Sequence, residues 1–276
     1  MSAIEIEHVS YRGRHGTIEA NIARPELAQP VPALILLHEA FGVTKPLREL
    51  ALHLAEHGYL ALLPDLYSRD ARRKRLEDDE VIRALPLAGR ADREATIQTL
   101  GWHEQESARR VLGWFEARDA SSLLDDAQAS LNFLKRHALV EPKAISCIGF
   151  SMGAGLTFEL AAHNAELASG VAFYGPSPAR ETLGNIRCPC EAHYAEDDPA
   201  ITPHAVVVEE ALRGVGTPFR YFVYPGTQHG FSNRARPTYH AASAALALGR
   251  TLEFLSDTLT ARGGRARGGA TRSGHG

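Results

Sequence analysis

Residues 145–156 read Ile145-Ser-Cys-Ile-Gly-Phe-Ser-Met-Gly-Ala-Gly-Leu156, and this stretch decides the fold. An apolar segment typical of a buried strand runs into Gly149-Phe-Ser-Met-Gly153, and a helical pattern follows from Thr157 to His163. A serine between two glycines at such a junction is typical of a nucleophile elbow, a sharp turn that presents the hydroxyl at the top of a sheet. The same glycines suit an ordinary tight connection, so the pattern alone leaves both interpretations open.

Apolar runs alternate with helical patterns on both sides of this stretch. Further buried strands are predicted at residues 33–37, 59–63, 170–174, 190–194 and 219–224. Helices are predicted between them, at residues 45–57, 123–137, 157–168, 203–213 and 239–259. Strands that alternate with helices in this way predict an α/β fold built on a doubly wound, mostly parallel sheet.

Two regions depart from this alternation. Residues 3–23 carry short apolar runs and predict an N-terminal antiparallel hairpin with its turn near Gly13–Gly16. Residues 68–120 bring a basic run, an acidic run and a helical face, and they predict a helical excursion over the C-terminal edge of the sheet. Such an excursion can shape a pocket, because parallel sheets bind ligands outside the carboxyl ends of their strands. The charge runs themselves are interpreted as a solvated face.

Length and charge limit the number of domains and the partners. A chain of 276 residues that is 44% hydrophobic can bury one large core, so residues 1–261 are predicted to form a single domain. Residues 262–276 are rich in glycine and arginine and are predicted to be a disordered tail. Without that tail's four arginines the body has 26 basic and 33 acidic residues, a net charge of −7, which argues against nucleic acid as a partner.

Neither a membrane nor a cofactor is expected. The N-terminal residues lack the pattern of a signal peptide, and no apolar run approaches the roughly 20 residues that span a bilayer. Three cysteines are too few for a disulfide framework and favour a reducing compartment, so a cytoplasmic protein is expected. Cys188-Pro-Cys190 has no second pair, and the glycines after Ser151 lack a phosphate loop's lysine, so no metal and no cofactor are predicted.

Partners for the serine follow in the expected order. A serine hydroxyl needs a base to take its proton, and that base needs an orienting acid. In this kind of sheet they follow as acid and then histidine, in loops after later strands. Asp197 and Asp198 follow the strand at 190–194, and His229 follows the strand at 219–224. Either aspartate suits the acid, and Asp198 is preferred because its step to Pro199 lies nearest the turn.

From about Ile18 to Leu255 the chain resembles the dienelactone hydrolase family of α/β-hydrolases. The motifs that carry the resemblance lie in family order along the chain: His38-Glu-Ala-Phe-Gly42, Gly58-Tyr-Leu-Ala-Leu-Leu-Pro-Asp-Leu-Tyr67, Gly149-Phe-Ser-Met-Gly153, Asp198-Pro, His229-Gly-Phe231 and Arg250-Thr-Leu-Glu-Phe-Leu255. Several motifs in order are more specific than any one alone. The resemblance implies an α/β-hydrolase fold and an enzyme that hydrolyses a small carboxylic ester or lactone through an acyl-enzyme.

The resemblance also implies roles for individual residues. Ser151 becomes the nucleophile, His229 the general base and Asp198 the acid. Ala40 and Met152 would supply the backbone N–H groups of an oxyanion hole. Glu39 is a further family mark, and its carboxylate is expected either to position or to deprotonate the nucleophile.

Two departures from the family pattern affect the expected substrate. Many relatives carry cysteine where this chain has Ser151, and a hydroxyl is harder to deprotonate than a thiol, so His229 becomes the more necessary base. Relatives also carry a substrate-gripping arginine four residues after the histidine, where this chain has Asn233. Side chains expected to contact the small-molecule substrate are those of Phe41, Tyr174, Phe231, Asn233 and Arg234, with Arg109 and Arg110 as a second grip.

Three functional alternatives remain open at this point. A broader acyl hydrolase or a peptidase on the same fold is compatible with the same serine, histidine and aspartate, because a fold and triad do not fix the acyl substrate. A catalytically silent scaffold that binds a small molecule is the third reading. Monomeric and dimeric forms are both compatible with the sequence.

Overall fold

The strands of the computed structural model, which describes residues 3–26, 29–118 and 122–267, form one sheet. Within those residues it has eight strands: β1 (Ile4–Gly13), β2 (Gly16–Pro25), β3 (Val31–Leu37), β4 (Leu60–Pro64), β5 (Val140–Phe150), β6 (Ser169–Phe173), β7 (Cys190–Asp197) and β8 (Phe219–Gln228). Their order is β1-β2-β4-β3-β5-β6-β7-β8. This confirms the α/β class and the doubly wound sheet.

Strand direction follows the sequence pattern. β1 and β2 pair antiparallel with Gly13 opposite Gly16, and β2 also pairs antiparallel with β4. Every pairing from β4 through β3, β5, β6 and β7 to β8 is parallel. β3 and β4 are apolar along their whole length because both faces are covered, and residues 33–39 are all buried. The edge strand β8 is only partly buried, so residues 219–224 are not covered on both faces.

Helices cover both faces of the sheet. The described residues form α1 (Lys45–Glu56), α2 (Asp78–Ala84), α3 (Arg93–Gln98), α4 (Trp102–Glu116), α5 (Ser122–Arg136), α6 (Met152–His163), α7 (Arg180–Leu183), α8 (Ala205–Gly214) and α9 (Ala241–Arg267). Helices α1 and α9 cover one face of the sheet, where their side chains pack with Leu34, Leu36 and Ile148. On the other face α5, α6, α8 and the excursion pack around Ile35, Leu37 and Cys147.

The helical excursion at 68–120 is confirmed, but its basic run is not simply solvated. Arg69 donates two hydrogen bonds to Asp126 of α5, at 2.9 and 2.6 Å, and the Asp126 side chain is fully buried. Arg73 is only 12% exposed and donates to the backbone oxygen of Phe41 at 2.9 Å. The interpretation of this run as a solvated face is therefore wrong for Arg69 and Arg73, which fasten the excursion to the sheet.

The last helix is longer than predicted. α9 continues to Arg267, eight residues past its predicted end at Leu259, so the first six residues of the predicted disordered tail are helical here. Residues 268–276 of that tail lie outside the described residues. No helix among the described residues is long and apolar enough to cross a membrane.

Candidate active site

Five polar or aromatic side chains follow the C-terminal ends of adjacent parallel strands. Ser151, Tyr174, Asp198 and His229 are the first residues after β5, β6, β7 and β8, and Glu39 lies two residues after β3. Because β3, β5, β6, β7 and β8 are neighbours in the sheet, these side chains meet at one edge. The pairing of Asp197 with Gln228 sets Asp198 and His229 next to each other.

The turn between β5 and α6 holds Ser151 in a strained conformation. Its φ is +51° and its ψ is −112°, a region that residues with a side chain rarely adopt. The flanking glycines are required by space: a Cβ on Gly149 would lie 1.9 Å from the Gly153 carbonyl oxygen, and one on Gly153 would lie 2.2 Å from that of Leu37. The alternative of an ordinary connection does not account for this strain, whereas a nucleophile elbow does.

Ser151, His229 and Asp198 form a continuous chain of hydrogen bonds. Asp198 can only accept as a carboxylate, so His229 Nδ1–H donates to Asp198 Oδ2 at 2.7 Å. That tautomer leaves Nε2 of the neutral ring unprotonated, and it accepts from the Ser151 hydroxyl at 2.9 Å. The geometry is the one required for a histidine to take the proton of a serine nucleophile.

The structure brings Asp198, and not Asp197, to the histidine. Asp198 is 6% exposed, and its backbone oxygen accepts from the N–H groups of Ile201 and Thr202, which fixes the turn after β7. Asp197 is exposed and its carboxylate instead accepts from Gln228 at 3.0 Å. The two adjacent aspartates therefore occupy different environments, which the sequence left open.

The two backbone N–H groups expected to form the oxyanion hole make no hydrogen bond to other backbone groups of the described residues. They belong to Ala40, in the loop after β3, and to Met152, the first residue of α6. The ring of His38 fixes the loop that contains Ala40. Its Nδ1–H donates to the backbone oxygen of Glu39 at 2.6 Å, and its Nε2 accepts from the backbone N–H of Leu66 at 3.1 Å. Burial lowers the pKa of His38, in keeping with a neutral ring that donates on one side and accepts on the other.

Glu39 is buried and linked to the loop after β8. The Asn233 side-chain amide donates to Glu39 Oε2, and Arg236 Nη1 lies 3.9 Å from Oε1. Burial raises the pKa of Glu39, while Arg236 and Asn233 act in the opposite direction. No hydrogen bond joins Glu39 to Ser151. Glu39 thus connects the two loops that carry Ala40 and His229.

The expected substrate-contacting aromatics occupy mostly buried positions. Tyr174 has a φ of +37°, and the edge of its ring faces the His229 ring at 5.2 Å between centroids. Phe231 is fully buried, and its ring packs against the rings of Tyr174 and Tyr224. It has no exposed surface for the expected contact with a substrate. Phe41 is 6% exposed and lies under the Arg236 guanidinium at 5.5 Å.

The arginines expected as a second grip form exposed ion pairs. Arg109 pairs with Glu94 and Arg110 with Glu80, each at 2.7 Å. Their role in gripping a substrate stays a prediction. Arg234 is exposed, and its Nε lies 3.4 Å from the Tyr239 hydroxyl.

Two contacts near the site were missed at the sequence level. Arg236 covers Phe41 and faces Glu39, although its only sequence signal is its closeness to His229. Tyr67, at the end of a family-like motif, donates from its hydroxyl to the Met152 sulfur at 3.3 Å. That bond joins the start of the excursion to the residue after the nucleophile.

Comparison with known proteins gives one consistent family. The model of the dienelactone hydrolase family matches residues 18–259. The "Putative carboxymethylenebutenolidase" of Escherichia coli K12 is 29% identical over 244 residues, covering 84% of this chain and 79% of the relative. The Saccharolobus solfataricus protein of the same name is 26% identical over 258 residues, covering 90% of this chain and 97% of the relative.

A solved structure agrees with the sequence relatives. The crystal structure titled "Putative Dienelactone Hydrolase" from Klebsiella pneumoniae has a TM-score of 0.74 and 25% identity, covering 92% of this chain and 99% of that chain. Strand order, helix placement and the strained serine turn define this protein as an α/β-hydrolase. The chain belongs to the dienelactone hydrolase family, and it is a carboxylic ester or lactone hydrolase.

Proposed function

We propose that this protein is a serine hydrolase that cleaves a small carboxylic ester or lactone through an acyl-enzyme on Ser151. The observation that carries the proposal is the hydrogen-bonded chain from Ser151 through His229 to Asp198. His229 is the general base, and Asp198 keeps the ring in the tautomer that leaves Nε2 free to accept the hydroxyl proton. This extends the family assignment from the reaction class to the residues that perform it.

The reaction proceeds in two acyl-transfer steps. Ser151 Oγ attacks the carbonyl carbon while its proton moves to His229 Nε2, and the resulting oxyanion accepts hydrogen bonds from the N–H groups of Ala40 and Met152. The intermediate collapses when His229 returns the proton to the leaving alkoxide, which departs as an alcohol and leaves the acyl group on Ser151. A water molecule, deprotonated by His229, then releases the acid and restores the serine.

Glu39 acts as a positioning residue in this account. Its hydrogen bond from Asn233 and its approach to Arg236 hold the loop of His229 against the loop of Ala40. The geometry favours positioning over a direct role as base, because the hydrogen bond of Glu39 is with Asn233 and not with Ser151. This contact would fix the position of His229 relative to the backbone N–H group of Ala40.

A cytoplasmic location remains part of the proposal. All three cysteines are buried and none forms a disulfide, which is in keeping with a reducing compartment. A single domain is also part of the proposal. The two core clusters lie on opposite faces of the same sheet, and the last residue of α9 that packs in them is Leu259.

A substrate panel tests the function. Short p-nitrophenyl esters, lactones and matched amides are compared with wild-type enzyme and with Ser151→Ala. We expect ester and lactone turnover well above amide turnover, and a fall of about 10⁴-fold or more in the variant. Amide turnover equal to ester turnover would indicate a peptidase, and unchanged ester turnover in Ser151→Ala would refute the nucleophile.

A further inference from the structure

A cavity of about 340 Å³ lies between α1 and α9, on the face of the sheet opposite the excursion. Neither helix fills it, because α9 presents the small side chains of Ala244 and Ala245 on that side. Its remaining apolar walls come from both helices and from the sheet, and include Leu47, Leu50, Leu248, Ile148, Phe150 and Phe173. The volume is at the small end of the range found for ligand pockets, roughly 300–1,000 Å³.

This cavity is separate from the nucleophile. Ser151 and His229 do not line it, whereas four residues next to them in the site do: Glu39, Tyr174, Asn233 and Arg234. Tyr174 forms part of the wall between the two sites, because its ring also meets the His229 ring edge-on at 5.2 Å. A molecule held in the cavity would therefore touch groups that position the catalytic residues without reaching Ser151.

One polar group in the wall lacks a hydrogen bond. The Glu39 side chain is 7% exposed, and its Oε1 accepts no hydrogen bond from the described residues. Arg236 Nη1 is 3.9 Å from that oxygen, beyond hydrogen-bonding distance. The Tyr174 hydroxyl also lies near the carboxyl, but its hydrogen bond is with Ser232 Oγ, at 3.1 Å. A buried carboxyl oxygen without a donor is unfavourable, so a donor brought by a ligand would be stabilised there.

We propose that the cavity between α1 and α9 is a second binding site, which takes a neutral small molecule with a compact apolar body and a hydroxyl group that hydrogen-bonds to Glu39. A hydroxyl both donates and accepts, so it can pair with the carboxyl in either protonation state. The cavity wall carries Glu39 and Glu49 and also Arg234, and Arg236 lies beside Glu39, so a cationic or an anionic ligand would each meet a charge of its own sign. The apolar walls select a body of about the size of a substituted phenol.

Four matched probes test the chemistry. They are 4-ethylphenol, ethylbenzene, 4-ethylbenzylamine and 4-ethylbenzoate, titrated by calorimetry and by ligand-observed NMR into the Ser151→Ala protein, in which the nucleophile is absent. We expect saturable binding of 4-ethylphenol and affinities at least about tenfold weaker for the other three, since one good hydrogen bond corresponds to about tenfold in affinity. Equal affinity for ethylbenzene would overturn the role of the hydroxyl, and tighter binding of the amine would overturn neutrality.

Two variants of α9 test the location. Ala244→Phe places a ring in the cavity, and the matched Ala242→Phe places the same ring at an exposed position outside it. Binding of 4-ethylphenol should fall at least about tenfold in the first and change less than twofold in the second. If Ala244→Phe fails to fold, Ala245→Phe fills the cavity from its more exposed side.

The remaining outcomes contradict the proposal. Binding that survives the filling variants, or an absence of saturable binding at millimolar concentrations, would overturn the second site. Wild-type enzyme carrying a fluorophosphonate on Ser151 should still bind 4-ethylphenol with affinity within about twofold, and loss of binding there would place the probe in the catalytic site instead. Failure of the label to react would count against the catalytic proposal and leave the binding result standing.

Discussion

The side-chain amide of Asn233 donates a hydrogen bond to the buried carboxyl of Glu39, joining the loop after β8 to the loop after β3. The first loop begins with His229 and the second contains Ala40, so this bond spans the two sides of the candidate active site. Arg236, three residues after Asn233 along the chain, places a cation near the same carboxyl.

The role of Glu39 predicts different results for two substitutions. Glu39→Gln retains an oxygen that can accept from Asn233, whereas Glu39→Ala leaves a cavity and an unpaired amide. We expect kcat/KM to fall about tenfold or more in Glu39→Ala and by a clearly smaller factor in Glu39→Gln. If Glu39→Gln lowers kcat/KM as much as Glu39→Ala does, and both losses approach that of Ser151→Ala, then Glu39 itself removes the proton of the nucleophile.

The two adjacent aspartates give a matched pair. Asp198→Asn replaces the carboxylate with an amide that can also donate, so His229 is no longer held in the required tautomer, and kcat should fall by at least about 10³-fold. Asp197→Asn keeps a partner for Gln228 on the surface, and kcat should change by less than about threefold. Steady-state kinetics with a p-nitrophenyl ester measure both, and a reversed pattern would move the acid to Asp197.

The elbow predicts a stability effect at Gly153. Ala at this position would bring a Cβ to 2.2 Å from the Leu37 backbone oxygen, so Gly153→Ala should lower the free energy of unfolding by about 3 kcal/mol. Gly249→Ala is the control, because no atom lies within 4 Å of its added Cβ. In the middle of α9 it should raise stability by roughly 0.5–1 kcal/mol. Denaturant unfolding of both variants decides the matter, and equal effects would contradict the close packing.

His38 predicts a pH dependence of stability. Burial lowers its pKa in the folded protein below the ordinary value of about 6.5, so below that pH the unfolded chain binds a proton that the folded chain does not. Stability is lost as pH falls from about 6.5 towards the folded-state pKa, by up to about 1.4 kcal/mol per pH unit for this one group. Urea unfolding from pH 7.5 to 5 should show a smaller slope in His38→Gln than in wild type.

A surface histidine controls that measurement. His163 is exposed at the end of α6, and His163→Gln should leave the slope as it is in wild type. An unchanged slope in His38→Gln would mean that His38 takes up its proton in the folded state as readily as in the unfolded chain.

Much of the fold could be predicted because the signals are local. Apolar runs such as 33–37 and 59–63 indicate strands buried on both faces, and the Gly-x-Ser-x-Gly pattern around Ser151 is contained within five residues. Ser151 was identifiable because it directly follows a predicted strand, and His229 because it lies in the loop predicted after another. The order of neighbouring strands then brings them together.

The parts that could not be predicted depend on contacts distant in sequence. Only the pairing of Asp197 with Gln228 sets Asp198, rather than its neighbour, against His229. Arg236 reaches Phe41 because of the path of the loop after β8. Gly230 in that loop has a φ of +83°, and a Cβ there would lie 2.3 Å from Arg236. No pattern along the sequence reveals this path. Arg73 was assigned to a solvated run for the same reason, since its contact with the backbone oxygen of Phe41 spans 32 residues of sequence.

We expect turnover to pass through a covalent acyl group on Ser151. Enzyme mixed rapidly with a slowly deacylating p-nitrophenyl ester, quenched in acid and digested, should yield the peptide containing Ser151 with the mass of the acyl group added. The amount should match the burst of p-nitrophenol, about one per enzyme. Ser151→Ala should show neither the burst nor the added mass. A full burst with the acyl group on another residue, or turnover by wild-type enzyme that leaves no acyl group on Ser151, would contradict the account.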